Sequence, residues 1–546
     1  MARFLKFKYI LLVLIISFFS VLALLPHGLL PTHDGEYHVI RFYEFDKVLR
    51  DGNFYPRWAP DLNNGFGVPL FNYVYPLPNY FASLLHLFGI SFIDSFKLNM
   101  FFASIFGTIF FYLWTRRFWG NLGGVVSCAF YSFSPYRFVD VYIRGSVGEI
   151  WALAFFPAFL WSITNFIKTK SMKDFVLSSL FLSALIFSHN ILALMFFFFS
   201  MSYVAFLILK EENKKDVVLK ILLIIFLGLG LSSIFWLPAV LETKFVTGLQ
   251  IYNVKENFPD LFALLIPSWG SGFSGGSLQN QMSFQIGIAN LFAVFSSVII
   301  LVLSIRKKAE YKSSIFFFLT WFVITFFLML KTSLPIWEKV PFMDYFQFPW
   351  RFLSLEIVVA SFLAGSIVKA HKPKLLAAFF IILVFLLGIG YAKPAYYFNR
   401  DDNYYVTRSN FIDGTNSPGN FFNTIWMNNQ LAKQKEKIIL KKEDGEINSF
   451  KIKSTIYEFN VFIKKDLKIA VNTAYFPGWI ATVDGRNVET FYDKDGLLTF
   501  SVPKGNHNIM VRFSETPIRK IALVWTLTSI CLLALFGVSR YVKIKK

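Results

Sequence analysis

Apolar runs close to twenty residues long recur from one end of this chain to the other, and no other feature restricts its fold so strongly. The stretch LKILLIIFLGLGLSSIFWLPAV, residues 219–240, is typical. A helix needs about 20 mostly apolar residues to cross a bilayer, because backbone N–H and C=O groups find no water there and must bond within the segment. About twelve runs meet or approach that length, near 7–25, 97–115, 121–136, 149–167, 174–188, 190–209, 216–240, 286–305, 313–331, 352–369, 374–391 and 521–539. The pieces at 174 and 190 are read as two, broken at Ser188-His189-Asn190, because one helix of their combined length would reach about 54 Å at 1.5 Å per residue. With 55% hydrophobic and only 16% charged residues, a soluble domain could not hide this much apolar surface. The expected fold is a polytopic α-helical membrane protein of about 12 transmembrane helices.

The formal net charge of +20 resides largely in short Lys/Arg clusters between these runs. That distribution is the positive-inside pattern, so the charge reports topology and not nucleic-acid binding. The first run is too long for a secretory signal and lacks a small-x-small cleavage site, so it is expected to stay as an anchor. Placing Arg3, Lys6 and Lys8 in the cytoplasm puts Arg116-Arg117 and the loops at 168–173, 210–220, 306–312, 369–374 and 540–546 there too. This requires the amphipathic NYFASLLHLFGI, 79–90, to lie in the interface or re-enter without crossing. Both termini are then cytoplasmic, in the plasma membrane. The opposite side receives 26–96, SPYRFVDVYIRGSVGE (134–149), SHN (188–190), IPSWGSGFSGG (266–276) and PFMDYFQFPWR (341–351). Cys128 and Cys531 both fall inside apolar runs with no CxxC, which supports neither a zinc site nor a disulfide framework.

Residues 1–391 are expected to form the membrane domain, with 26–96 as its first outer loop carrying surface helices. An extracytoplasmic domain follows over 392–520, β-rich from about 448, and a final helix with a basic tail over 521–546. Short alternating stretches such as LKIAVNTAY and HNIMVRF, punctuated by Asp484-Gly485 and Asp495-Gly496, predict antiparallel hairpins and a small β-sandwich.

The outer loops gather the groups able to do chemistry. LLPTHDGEYHVIRF, 29–42, places His33, Asp34, Glu36 and His38 within six residues, at the start of a segment whose Val39, Ile40, Phe42, Phe45, Val48 and Leu49 follow helical spacing. Asp34 could serve simply as that helix's N-cap. Capping explains neither His33 nor His38. The cluster suits acid/base chemistry, and Asp34 with Glu36 suits a divalent cation, Mg²⁺ or Mn²⁺, although no HExxH signature is present. In YIRGSVGE, Arg144 can meet a phosphate in bidentate fashion or tie the loop to a helix end through Glu149. Arg351 in FQFPWRF and Arg57 in YPRWAPDL admit the same pair of readings, phosphate contact or structural anchor. His189, between two apolar helices, is either a satisfied turn or a functional group. No Walker motif, Rossmann fingerprint or GxSxG elbow occurs.

Taken together, PTHDGEYH, PRWAPDLNNGFGVPLFNYVYPLPNYF, SPYRFVDVYIRGSVGE, LIFSHN and FQFPWRF resemble the bacterial and archaeal membrane proteins labelled 6-pyruvoyl-tetrahydropterin synthase-related. AYFPGWIATVDGRNV, VPKGNHNIMVRF and ETPIRK resemble the ending of YfhO-type membrane proteins. The pterin chemistry in the label does not carry over, since that soluble enzyme uses a three-histidine zinc site with no counterpart in this sequence. The chain is also similar to the GT-C glycosyltransferase superfamily. That likeness implies an acidic catalytic motif in the first outer loop and a sugar donor carried on polyprenyl phosphate. The matching position is Asp34, here a single Asp followed by Gly-Glu and not a carboxylate pair, so the metal stays open. The resemblance thus implies transfer of a sugar from a polyprenyl-phosphate donor to an extracytoplasmic glycan, lipid or protein. Asp34, Glu36 and His38 would be catalytic, Arg57, Arg144 and Arg351 would hold the donor phosphate, and His33, Glu149 and His189 would support them. The alternatives are a transporter or flippase of lipid-linked glycans, which would place ionisable groups deep in the spans, and a non-catalytic envelope assembly protein.

Overall fold

Helices occupy the apolar runs, as the hydropathy of the chain requires. In this computed structural model, residues 2–248, 253–274, 280–306, 308–407, 421–432, 436–438 and 440–544 are described. The end of the Gly-rich loop at 275–276, Lys307 in a basic loop, and 408–420 in the Asn-rich segment lie outside the described residues, as do Lys545 and Lys546 of the basic tail. The helices are α1 Ala2–Val21, α2 Gly35–Arg50, α3 Leu77–Leu87, α4 Phe92–Ser132, α5 Pro135–Phe138, α6 Val147–Thr169, α7 Met172–Ser188, α8 Asn190–Ile208 and α9 Lys214–Leu241. They continue as α10 Leu261–Leu265, α11 Ile288–Leu303, α12 Tyr311–Met329, α13 Leu334–Lys339, α14 Leu353–Ala364, α15 Pro373–Gly388, α16 Asp402–Val406 and α17 Pro517–Ile544.

Among the described residues, 8 helices are long and apolar enough to cross a membrane, and shorter apolar helices cover Lys8–Leu24 and Ile288–Leu303. One of the eight is not a straight rod. The 41-residue α4 would be about 60 Å long if straight, but Gly120 adopts φ 73° and ψ −178°, a conformation open to glycine alone. The chain doubles back there: Thr108 and Ser132 share a hydroxyl hydrogen bond of 2.9 Å, and the rings of Phe111 and Tyr131 stack at 4.2 Å. Two apolar runs, 97–115 and 121–136, therefore lie antiparallel within one continuous helical assignment. At 11 residues, α3 spans about 16 Å and is too short to cross. It packs edge-on to α2 through Tyr80 and Phe45, ring centroids 4.8 Å apart.

Eight strands follow: β1 Gly445–Ile452, β2 Ile456–Ile463, β3 Leu467–Ala474, β4 Trp479–Val483, β5 Arg486–Val488, β6 Thr490–Tyr492, β7 Leu497–Val502 and β8 Gly505–Phe513. They form two antiparallel sheets in the orders β1-β2-β8-β4-β5 and β3-β7-β6. Asp484 and Gly485 join β4 to β5 with φ values of 51° and 79°, the left-handed pair that matches hairpin twist. Alternate residues of both sheets, among them Tyr457, Val461, Trp479, Ile469, Phe500 and Val511, meet in one hydrophobic core. Trp58 and Phe66, from the loop between α2 and α3, enter that same core. Trp58 meets Trp479 edge to face at 5.4 Å.

A buried polar clasp ties these sheets to the helices. Arg519 donates to Glu242 from Nε (3.0 Å) and lies 2.9 Å from it through Nη2, while Asn72 Nδ2 and Thr516 Oγ1 also donate to Glu242. Arg57 joins the clasp through Asn72 Oδ1 (3.0 Å), the Ile234 carbonyl (3.1 Å) and Glu515 Oε1 (3.2 Å). Each buried charge in it has partners, the condition under which burial is tolerated.

Candidate functional site

Two backbone hydrogen bonds bring together sequence motifs more than a hundred residues apart. The His33 N–H donates to the Ile143 carbonyl and the Asp34 N–H to the Arg144 carbonyl, both at 2.9 Å. PTHDG is thereby fastened to the end of a π-helical turn, Val139–Arg144. Gly145 (φ 68°) and Gly148 permit the approach: a Cβ on the first would lie 2.4 Å from Thr32 Oγ1, and one on the second 2.3 Å from the Tyr75 ring.

Asp34 occupies the N-cap position of α2 but makes no capping hydrogen bond. Its φ of −109° and ψ of −3° depart from the extended backbone that normally aims a cap side chain at the first turn. Capping therefore does not account for this carboxylate, which stays half-buried. His33 beside it donates from Nε2 to the Ser271 carbonyl at 2.8 Å and stacks on Phe273 at 4.4 Å. A carbonyl only accepts, so the neutral ring carries its proton on Nε2 and leaves Nδ1 as a base. Burial lowers the His33 pKa, against the raising effects of Ser271 and Asp34, which favours that neutral form.

The other two members of the cluster look elsewhere. His38 is buried, with its ring 5.9 Å from that of Phe42 and 6.0 Å from that of Phe96, a packing position and not a partner for Asp34. Burial, then the charges of Arg41 and His189, holds its pKa well below the ordinary 6.5. The unfolded ring takes a proton near 6.5 whereas the folded ring resists it, so this stability is whole above that pH and is lost as pH falls below it. The unfolding temperature should drop on acidification from 6.5 towards about 5, and His38→Phe should flatten the drop, readable by thermal scans across that range. Glu36 acts on Tyr405 of α16, whereas Asp34 acts on His33 and Tyr75. The two carboxylates thus act on different neighbours. Among the described residues, no group of three or more His, Cys, Asp and Glu side chains is placed to hold a metal ion.

Behind Asp34 lies a buried ionic cluster. Arg144 donates from Nη1 and Nη2 to the two oxygens of Glu149, each at 2.7 Å, and from Nη1 to Asp140 Oδ1 at 2.5 Å. Arg351 Nε faces Glu149 Oε1 at 3.2 Å, while its Nη1 donates to the Phe346 carbonyl (2.9 Å) and Gln347 Oε1 (2.7 Å). Trp350 covers both cations, 4.9 Å from Arg144 and 5.8 Å from Arg351. His189 accepts the Leu192 N–H at Nδ1 (3.2 Å), capping α8, and turns Nε2 toward Glu149 Oε1 at 3.9 Å.

Of the two readings open for Arg144, this geometry is that of the ion pair. Arg144 and Arg351 converge on Glu149, and their positive charge is spent largely there. Arg57 does not join them, because its guanidinium is consumed by the clasp of Asn72, Ile234 and Glu515. Three contributors are not singled out by the sequence: Asp140, Tyr75 and Phe273. Asp140 alone carried a signal, standing four residues before Arg144 as an i,i+4 pair.

A profile of membrane proteins described as "6-pyruvoyl-tetrahydropterin synthase related domain" matches residues 71–397, more than half of the chain. The chain belongs to this family. The match takes in Arg144, Glu149, His189 and Arg351 but begins after Asp34. Family membership therefore rests on the part of the protein that holds the ionic cluster. An uncharacterized protein of Lactococcus lactis subsp. cremoris (strain MG1363) is 26% identical over 261 residues, 45% of this chain and 41% of that relative. This member of the 6-pyruvoyl-tetrahydropterin synthase related family thus aligns with less than half of the relative's length. Among solved structures it is similar to the arabinofuranosyltransferase AftD from Mycobacteria, with TM-score 0.43, 14% identity, and coverage of 72% of this chain and 26% of that one. The apo oligosaccharyltransferase of Archaeoglobus fulgidus gives TM-score 0.43 and 13% identity over 76% of this chain and 59% of that one.

Proposed function

We propose that this family member is a membrane glycosyltransferase that takes a sugar from a polyprenyl-phosphate donor and passes it to an acceptor hydroxyl on the outer side of the plasma membrane. The observation that carries the reading is Asp34: a half-buried carboxylate with no capping bond, fixed by backbone hydrogen bonds beside a buried ionic cluster. Asp34 removes the acceptor proton as the acceptor oxygen bonds to the anomeric carbon. The bond from that carbon to the phosphate oxygen breaks, and its electron pair leaves with the polyprenyl phosphate. His33, held neutral with Nδ1 bare, assists from the side; Glu36 and His38 have other neighbours and no step runs through them. Glu149, Asp140 and Trp350 hold Arg144 and Arg351 in place, so these two arginines shape the field of the site while staying paired. The reading predicts that membranes containing the protein release lipid phosphate from at least one member of a panel of polyprenyl-phosphate sugars. No release from any of them contradicts it.

One observation favours transport as a second reading. Glu356 of α14 is fully buried between apolar helices, accepts a hydrogen bond from Thr325 Oγ1, and leaves Oε1 without a partner. Intramembrane carboxylates commonly mark ion or substrate paths. As a transferase the protein should keep full sugar transfer in a Glu356→Gln variant. Loss of a transmembrane substrate flux in that variant, with wild-type protein showing no transfer, would favour transport.

A further inference from the structure

The three arginines singled out from sequence as phosphate ligands are all paired, yet one buried guanidinium near the site is not. Arg137 lies in α5, within SPYRFVDVYIRGSVGE, and is 3% exposed. Its guanidinium sits 4.4 Å above the ring of Tyr131, and its Nη1 is buried with no hydrogen-bond partner. Among the described residues, no carboxylate stands within ion-pairing distance of it. The nearest acidic group in sequence, Asp140, gives Oδ1 to Arg144 and leaves Oδ2 buried without a donor, so it does not close on Arg137.

The balance of charge points the same way. Among the buried side chains here, Arg137, Arg144 and Arg351 bring three guanidinium groups and Asp140 and Glu149 two carboxylates, the half-buried Asp34 lying outside this set. One positive charge is left over in a setting where an uncompensated ion is strongly unfavourable. A group carrying one negative charge and several acceptor oxygens would compensate Arg137.

We propose that Arg137 is the anion-binding residue of this protein, taking the phosphate of a prenyl-phosphate headgroup or free phosphate. Resting on the transferase reading above, it moves the donor-phosphate contact from Arg57, Arg144 and Arg351 to Arg137. The guanidinium would pair with the phosphate oxygens in bidentate fashion.

The test is thermal unfolding of the full-length protein in nanodiscs with farnesyl phosphate, with uncharged farnesol, and with inorganic phosphate. Farnesyl phosphate should raise the midpoint of the wild-type protein by a few degrees, as any ligand specific for the folded state does, and farnesol should not. Arg137→Met should be at least as stable as wild type without ligand, because an uncompensated cation has gone, and should lose the response. Arg137→Gln keeps a polar head in the same place and carries the same expectation, so the test survives misfolding of the first variant. An equal shift from inorganic phosphate would identify free phosphate as the source. Equal shifts in wild type and both variants, or none in wild type with either phosphate, would overturn the proposal. A phosphate-dependent shift that needs Arg137 in a protein that transfers no sugar would leave the anion site standing and remove the transferase reading.

Discussion

Replacing Glu149 by Ala should destabilise the protein by about 3–5 kcal/mol, the effect of removing one partner from a buried ion pair. Glu149 is the common acceptor of the cluster: both Arg144 nitrogens bond to it, Arg351 Nε faces it at 3.2 Å, and His189 Nε2 lies 3.9 Å away. Without it, two buried guanidinium groups would share Asp140 alone. Glu149→Gln should fall between, since the amide retains an acceptor oxygen but no charge. Thermal unfolding of purified protein, with yield in membranes as a second readout, measures this directly. A Glu149→Ala protein as stable as wild type would mean that Arg144 and Arg351 are compensated elsewhere.

Asp34→Ala is the opposite kind of change. Its carboxylate makes no capping bond, so stability should move by no more than about 0.5 kcal/mol. Sugar transfer should fall by at least about 100-fold, the lower end of what a positioned general base contributes. The contrast is informative because the two residues belong to motifs joined by the same pair of backbone hydrogen bonds. One variant should unfold the site, and the other should silence it intact.

How far the sequence reveals this arrangement depends on whether a property is local. Apolar runs and basic clusters are local, and helices fill the runs; even the fold-back at Gly120 follows from a segment too long for one crossing. Alternation and the Asp484-Gly485 turn are local too, and β4 and β5 pair there. What the runs cannot show is how Trp58, far upstream of the strands, becomes part of their core, since that depends on packing across more than four hundred residues. The candidate site divides in the same way. The nearness of PTHDG to YIRGSVGE was suggested by side of membrane alone, while the bonds that make it specific are between backbone atoms, which carry no residue signature. Arg57, Arg144 and Arg351 look alike as letters. Only the fold decides that Glu149 takes two of them and the clasp at Glu242 the third. Glu36 and Asp34 likewise stand two residues apart in sequence, but Glu36 lies in the first turn of α2 and Asp34 just before it, and they act on different neighbours. Arg137 was the least visible of all, because a missing partner leaves no mark in a sequence.

The central claim is that Asp34 is the base of a sugar transfer from a lipid phosphate, and one measurement reaches it most directly. Membranes carrying wild-type protein or Asp34→Ala at matched levels are incubated with the same polyprenyl-phosphate sugars, and released polyprenyl phosphate is quantified. The account predicts release by the wild type and none above background by the variant, with the two proteins unfolding at the same temperature. Equal release by both would contradict it.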